Sequence, residues 1–118
     1  MNIIDEGKLL RMFIGESDRF HGRPLYELLV EKAHTLGLAG ATVCRGIAGY
    51  GVHSRIHTAK ILRLSEDLPV ILEIVDTDEK IRAALPEFGA MIEAAGSGGL
   101  VTLEKAEVIR YVHGNATE

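Results

Sequence analysis

The order of strand-type and helix-type segments is the feature that most constrains the fold of this chain. A short apolar run at Lys8–Ile14 precedes a segment in which leucines recur at helical spacing, and a β-branched stretch follows at Ala41–Arg45. The same order returns with the strand Val70–Val75, an amphipathic helix, and a final strand or bent pair of strands between Leu100 and Val112. The sequence therefore predicts two β-α-β units of the same layout, although no repeat of residues is visible.

Capping and breaking residues define the ends of the two predicted helices. Pro24 stands at the start of the first helix, where its missing N–H costs nothing, and Gly37 is a natural stop. Thr77 caps the second helix, whose acidic first turn favours the helix dipole. Pro86 lies inside the second helix, so we expect either a kink or a short helix followed by another.

Two such units with both helices on one face form a ferredoxin-like split-βαβ sandwich, an α+β fold with a four-stranded antiparallel sheet. We expect residues 1–118 to form one domain of this kind. The two best strands are apolar on both faces apart from Arg11 and Glu73. The sheet face without helices would then be apolar, and its burial against other subunits is the simplest explanation.

Charge and cysteine content limit which classes of function and which cellular compartment fit this chain. Thirteen basic and 17 acidic residues give a formal net charge of −4, which argues against a general nucleic-acid binder. The central strands also lack the aromatic residues on which an RNA-binding sheet stacks bases. The single cysteine, Cys44, fits a reducing compartment. The N-terminal segment has the pattern of neither a signal peptide nor a membrane span, so we expect a cytoplasmic protein.

A glycine-rich and basic segment between the two halves carries the first candidate site. Gly46, Gly49 and Gly51 lie within six residues, and glycines allow a backbone to approach a ligand closely. The basic and imidazole side chains that follow them are His53, Arg55, His57 and Lys60. This cationic segment would suit an anionic ligand. The alternative is that the glycines form turns and bulges without a ligand, and that the cations form a solvated edge.

Four long runs of residues resemble the PII-like trimeric signalling superfamily. They are GESDRFHGRPLYE, GLAGATVCRGIAGYG, SRIHTAKILRLSEDLPVILEIVD and GLVTLEKAEVIRY, and the resemblance covers roughly Lys8 to Tyr111. Within the superfamily the chain is identified as a member of the uncharacterised domain of unknown function family 190. The resemblance implies a ferredoxin-like subunit, a homotrimer, and ligand sites in the clefts between subunits.

The same resemblance suggests site residues. Gly49-Tyr50-Gly51 is similar to the Gly-Phe-Gly at the base of the mobile T-loop of nucleotide-binding PII proteins, and Thr42 falls near their adenine-facing threonine. Gly96–Gly99 resembles a shortened glycine-rich B-loop, and Arg110 matches the first of two phosphate-binding arginines. With two substitute cations added, the candidate ligand-binding residues are Thr42, Gly49, Tyr50, Gly51, Arg55, His57, Gly96, Gly98, Gly99 and Arg110.

Three departures from the PII pattern bear on the ligand. The B-loop lysine position is occupied by Leu100 or a neighbour, and the second arginine position is Val112. The loop after Gly51 has no tyrosine, so the uridylylation switch of nitrogen-signalling PII proteins has no acceptor. Because triphosphate recognition needs several converging cations, AMP suits this chain as well as ATP does.

The polar loop Glu16–Arg23 is a second candidate. It would supply acid–base groups, or a metal site from Glu16, Asp18 and His21. We favour the alternative of an intersubunit salt-bridge network that caps the first helix. His53 and His57 stand four residues apart, but they fall in a predicted loop or strand, which disfavours metal ligation there.

No nucleophile elbow, triad or Walker-type phosphate loop is present, so we expect no enzymatic activity.

The first hypothesis is a PII-like homotrimeric sensor that binds AMP, ADP or ATP between subunits and moves the loop Val52–Thr58. Members of the family are often encoded near fluoride-export channels, which suggests a membrane-transport partner by analogy alone. The alternative is a divalent-cation or stress-tolerance protein resembling CutA, with its site at the histidines and the Glu16–His21 loop. A small nucleotide hydrolase is a third and weaker hypothesis.

Overall fold

A four-stranded antiparallel sheet forms one layer of the molecule. The computed structural model describes residues 5–50, 57–58 and 68–114. The strands of the sheet are β1 (Asp5–Gly15), β2 (Thr42–Arg45), β3 (Pro69–Asp76) and β4 (Leu100–Val108). Their order is β2-β3-β1-β4, and each neighbouring pair is antiparallel. The final strand is continuous rather than a bent pair. The connections confirm the predicted ferredoxin-like α+β fold.

Two helices cover one face of this sheet, α1 (Leu25–Thr35) and α2 (Asp78–Ala94). Thr77 caps α2 as predicted, because its side-chain hydroxyl accepts a hydrogen bond from the backbone N–H of Lys80. Gly37 follows the end of α1 with φ of 78°, a left-handed conformation that glycine adopts without strain. No helix in the described residues is long and apolar enough to span a membrane.

The helix α2 runs without interruption through Pro86, so the predicted division into two helices is wrong. A proline inside a helix removes one N–H and leaves the carbonyl four residues earlier without its partner. Pro86 lies on the exposed side of α2, where water can hydrogen bond to the carbonyl of Arg82. The buried side chains of Ile81, Ala84, Phe88 and Ile92 hold the helix on the sheet along its whole length.

The core lies between the helices and the sheet. Side chains alternate along β1 and β3, so every second residue of each strand points toward the helices and is buried. The buried side chains of the two strands are Leu10, Met12 and Ile14 in β1 and Val70, Leu72 and Ile74 in β3. They pack against Leu25 and Leu29 of α1 and against Phe88 of α2. This burial leaves the odd-numbered residues of both strands on the opposite face.

That opposite face, which we call the helix-free face, has a charged centre between apolar ends. Arg11 in β1 donates from Nε to Glu73 Oε2 at 2.9 Å and from Nη1 to Glu104 Oε2 at 2.7 Å. The hydrogen bond to Glu73 is the main cause of the raised pKa of Arg11. The apolar neighbours in register along the strands are Leu9 and Val75 on one side and Phe13, Ile71 and Leu100 on the other. Two carboxylates therefore share one guanidinium at the centre of this face.

A buried carboxylate joins the connection between α1 and β2 to the start of α2. Asp76 is fully buried, and its side chain accepts hydrogen bonds from the backbone N–H groups of Ala39 at 2.8 Å and Thr77 at 2.7 Å. The hydroxyl of Tyr111 donates to the carbonyl of Ala39 at 3.1 Å, so the segment after β4 is attached at the same point. Asp76 thus joins the connection before β2 to the start of α2, and Tyr111 attaches the segment after β4 to the same connection.

We expect Asp76→Ala to lower the free energy of unfolding by about 2 to 3 kcal/mol, because two buried N–H donors lose their acceptor. Urea unfolding measures this loss. The matched control is Asp78→Ala, which removes a more exposed carboxylate with ion pairs to Lys8 and Arg82 and should cost about 1 kcal/mol or less. Equal losses in the two variants would contradict the role assigned to Asp76.

Candidate functional site

The two glycine-rich segments lie at the same end of the sheet. β2 ends beside the first residues of β3, and β4 begins beside the last residues of β1, which pair with the start of β3. The segment after β2, Gly46–Tyr50, and the segment before β4, Gly96–Gly99, therefore leave the sheet at one common end. We call this the glycine end of the sheet.

At Gly46 the packing of the chain itself requires the absence of a side chain, and at Gly99 a side chain would be tightly packed. A Cβ on Gly46 would lie 2.8 Å from Cγ of Pro69, and the backbone N–H of Gly46 donates to the Pro69 carbonyl at 2.7 Å. A Cβ on Gly99 would lie 3.1 Å from Cγ2 of Ile92. Gly96 has φ of 73° at the end of α2. These positions match the alternative interpretation of the glycines, in which they serve turns and close packing.

The turn after β1 contacts both glycine-rich segments. The carboxylate of Glu16 accepts a hydrogen bond from Arg45 Nη2 at 2.7 Å, directly before Gly46. The carboxylate of Asp18 accepts from Ser97 Oγ at 2.7 Å and from the backbone N–H of Gly15 at 2.9 Å. Sequence reasoning identified this polar turn but not its partners, which lie 29 and 79 residues away. Both carboxylates bind groups of the protein itself.

The remainder of the predicted polar loop forms a short hairpin, in which Arg19–Phe20 pairs with Arg23–Pro24. Arg23 donates to both carboxylate oxygens of Glu31 and to Glu27, so the network at the start of α1 forms within one chain. The hydrogen bond from Arg23 is the main cause of the lowered pKa of Glu31. Within the described residues, no three His, Cys, Asp or Glu side chains are grouped so that they could hold a metal ion.

The predicted site residues of the first glycine-rich segment are only partly described. Thr42 is exposed at the start of β2 and lies beside Glu73 in register, on the helix-free face. Tyr50 is 72% exposed, and Gly49 pairs with the backbone of His57. The part of the chain outside the described residues includes Gly51, His53, Arg55 and the side chain of His57. Most of the predicted mobile loop, Val52–Thr58, also lies outside the described residues.

Arg110 lies at the opposite end of the sheet from both glycine-rich segments. It follows the last residue of β4, Val108, which pairs with Asp5 at the start of β1. An antiparallel strand rises about 3.4 Å per residue, so the 11 residues of β1 separate the two ends by roughly 35 Å. Arg110 is exposed, and the bond from Tyr111 to Ala39 holds its segment at that end. One chain therefore does not bring Arg110 to the glycine-rich segments.

A cleft that the sequence did not predict lies at this far end of the sheet. It has a volume of about 1050 Å³ and is bounded by β1, β4 and the start of α2. Its basic side chains are Lys8, Arg82 and Lys105, and its acidic ones are Glu6, Asp78, Glu79 and Glu107. Lys8 and Arg82 both pair with Asp78, at 3.6 and 2.9 Å. None of the predicted site residues that the structure describes lines this cleft.

The fold of the chain is that of PII-like proteins. CPII from Thiomonas intermedia K12, a nitrogen regulatory PII-like protein bound to ADP, AMP and bicarbonate, matches with a TM-score of 0.66 and 16% sequence identity, over 92% of this chain and 91% of that one. The same protein bound to ADP and bicarbonate matches with a TM-score of 0.63 and 18% identity, over 92% of this chain and 91% of that one. At these identities the likeness concerns the fold.

The chain belongs to the DUF190 family, described as "Uncharacterized ACR", whose model matches residues 7–108. A UPF0166 protein of Aquifex aeolicus (strain VF5) is 46% identical over 102 residues, which cover 86% of this chain and 92% of the relative. A UPF0166 protein of Methanocaldococcus jannaschii is 35% identical over 105 residues, covering 89% and 94% of the two chains. The family inferred from the sequence is thereby confirmed, and the chain shares its fold with PII-like proteins.

We expect Ser97→Ala to loosen the loop before β4, because the hydroxyl donates to Asp18 and accepts from the Gly99 N–H at 3.4 Å. The loss of a part-buried hydrogen bond should cost about 1 kcal/mol, and hydrogen exchange at Gly99 should accelerate. Exchange measured by NMR or mass spectrometry checks this. Ser97→Thr keeps the hydroxyl and should retain the protection; unchanged exchange in Ser97→Ala would contradict the assigned contact.

Proposed function

We propose that this protein is a homotrimeric PII-like sensor that binds an adenine nucleotide at sites between subunits and does not chemically change it. The observation that carries the proposal is the placement of the candidate residues at opposite ends of one sheet. The glycine-rich segments of one subunit and Arg110 of a neighbouring subunit would together form a site that a single chain lacks.

The helix-free face supports assembly. Its apolar ends expose side chains such as Val75 and Leu100, which are 38% and 55% exposed in the single chain. Burial of apolar surface contributes roughly 25 cal/mol per Å², so a second copy seated on this face would stabilise it. Arg11 is already paired with Glu73 and Glu104, so the charged centre enters such an interface with its hydrogen bonds made.

The glycine end supports an anionic ligand of modest charge. Gly98 gives the loop before β4 a backbone position without a side chain, and Arg110 would add a guanidinium from the neighbour. The N–H groups of Gly46, Gly96 and Gly99 already donate within the chain, so the guanidinium carries most of the proposed recognition. The solved relative CPII is bound to ADP and AMP, which makes these two nucleotides the first ligands to test. Because two basic positions of PII proteins are lost, AMP and ADP suit this site as well as ATP does.

We expect the wild-type protein to have about three times the 12.8-kDa mass of the chain in light scattering, and Val75→Glu to reduce it to that of a monomer. Val75 is partly exposed in one chain, so the monomer tolerates a carboxylate there, whereas the interface would bury it. Ala83→Glu adds the same charge on the exposed side of α2 and should leave the trimer intact. A trimeric Val75→Glu would exclude this face from the interface.

We expect AMP or ADP to raise the melting temperature of the wild type, because a ligand at a hundred times its dissociation constant adds roughly 2.7 kcal/mol of stability. Arg110→Ala should remove this shift. Divalent cations serve as comparison ligands, and stabilisation by metals alone would favour the CutA-like alternative. Chromatography of the incubated nucleotide should show no product.

Mixed oligomers test whether the site lies between subunits. Gly98→Glu places a carboxylate in the loop before β4 and should abolish binding, as should Arg110→Ala. After the two inactive variants are unfolded and refolded together, some interfaces combine an intact loop with an intact arginine, so binding should return. If both groups acted within one chain, the mixture would remain inactive.

A further inference from the structure

We infer that Arg45 binds the phosphate group of the nucleotide and that Glu16 competes with this phosphate for the guanidinium. The inference rests on the proposed function and deepens it, because it assigns a cation, and a control on that cation, to the same site. Arg45 is not among the residues that the sequence comparison with PII proteins suggests.

The position of Arg45 is the first argument. It is the last residue of β2, pairs with Val70 in β3, and directly precedes Gly46. The Gly46 N–H is held on the Pro69 carbonyl at 2.7 Å, so the backbone on both sides of Arg45 is fixed. The guanidinium therefore extends from a rigid base at the glycine end of the sheet.

The weak engagement of Arg45 is the second argument. Its side chain is 61% exposed, and among the described residues it makes one ion pair, from Nη2 to Glu16 Oε2 at 2.7 Å. An exposed pair of this kind contributes little to stability, so its exchange for another anion costs little. A phosphate accepts two parallel hydrogen bonds from a guanidinium, which is a stronger arrangement than the single bond to Glu16.

Other described arginines are engaged differently. Arg23 donates to both oxygens of Glu31 and also to Glu27, and Arg11 is shared between Glu73 and Glu104. Arg19, in the hairpin that follows Asp18, donates to the carbonyl of Gly22 at 3.4 Å. It carries the same charge as Arg45 but starts from the hairpin and not from the sheet. Arg19 is therefore the matched control for Arg45.

Glu16 is built to hold Arg45 in the absence of ligand. Its side chain is 26% exposed, and its backbone N–H donates to the Leu68 carbonyl at 2.8 Å, which fixes its position. A nucleotide phosphate carries up to two negative charges and can displace this carboxylate from the guanidinium, whereas an uncharged nucleoside cannot. The Glu16–Arg45 pair thus favours adenine nucleotides over adenosine and sets the concentration at which they bind.

Calorimetric titration of AMP and adenosine into the wild type and three variants tests the inference. Arg45→Gln should weaken AMP binding by roughly ten- to a hundredfold, because the charge-assisted hydrogen bonds to the phosphate are lost. It should leave adenosine binding unchanged. Glu16→Gln should tighten AMP binding severalfold, because the competing charge is gone. Arg19→Gln should change neither affinity by more than about twofold.

The outcomes separate the inference from the proposed function. If the wild type binds neither AMP nor ADP, the proposed function fails and the inference fails with it. If the wild type binds AMP and Arg45→Gln binds it equally well, or if Arg19→Gln carries the loss instead, the inference is overturned while the nucleotide sensor stands. Weaker AMP binding in Glu16→Gln would overturn the competition.

Thermal melts without ligand establish that each variant is folded. If Arg45→Gln does not fold, Arg45→Lys takes its place in the test. Lysine keeps the positive charge but not the planar guanidinium, so we expect the AMP affinity of Arg45→Lys to lie between those of the wild type and Arg110→Ala. Wild-type affinity in a folded Arg45→Lys, together with unchanged affinity in Glu16→Gln, would also overturn the inference.

Discussion

The pairing of β1 with two neighbours at once is the constraint on which the rest of the structure depends. Its even-numbered residues enter the core, and its odd-numbered residues form the centre of the helix-free face. Its start lies beside Val108 and Asp76. Its end lies between the first residues of β3 and β4, at the glycine end of the sheet. The length of this one strand therefore separates the candidate cation Arg110 from the candidate loops, and any site that uses both must draw on two chains.

The charged centre of the helix-free face follows from the same register. Arg11 is opposite Glu73 on one side and diagonal to Glu104 on the other, so both ion pairs are made before any assembly. Burial of ions is costly unless their hydrogen bonds are satisfied, and an apolar centre would associate in many orientations. In the proposed trimer, the ion pairs would fix how copies align, and the apolar ends would supply the burial energy.

Periodicity and capping were sufficient to predict the fold. The strand-type composition of Val70–Val75 and the cap at Thr77 are local patterns, and the structure has both elements where these patterns placed them. Pro86 shows the limit of local rules, because the tolerance of a proline depends on which side of α2 it faces. Contacts such as Asp18 with Ser97 join residues 79 positions apart and follow no period. The sequence could therefore indicate the polar turn but not what the turn binds.

Two neighbouring carboxylates in that turn are held by different kinds of partner, and this difference decides what each can do. Asp18 accepts hydrogen bonds from a hydroxyl and a backbone N–H, and its own carbonyl accepts from the Leu25 N–H at the start of α1. An anionic ligand has no advantage over Asp18 as an acceptor for these two neutral donors. The hydrogen bonds of Asp18 therefore stay in place. Glu16 is held by a cation, and an anion competes for that cation directly. When a phosphate takes Arg45, the partly buried Glu16 loses its counter-charge while Asp18 keeps the turn attached to α1 and to the loop before β4. On our inference, the loss of the Glu16–Arg45 ion pair is the first event that follows ligand binding, and it releases the turn from the end of β2 while Asp18 still holds the loop before β4.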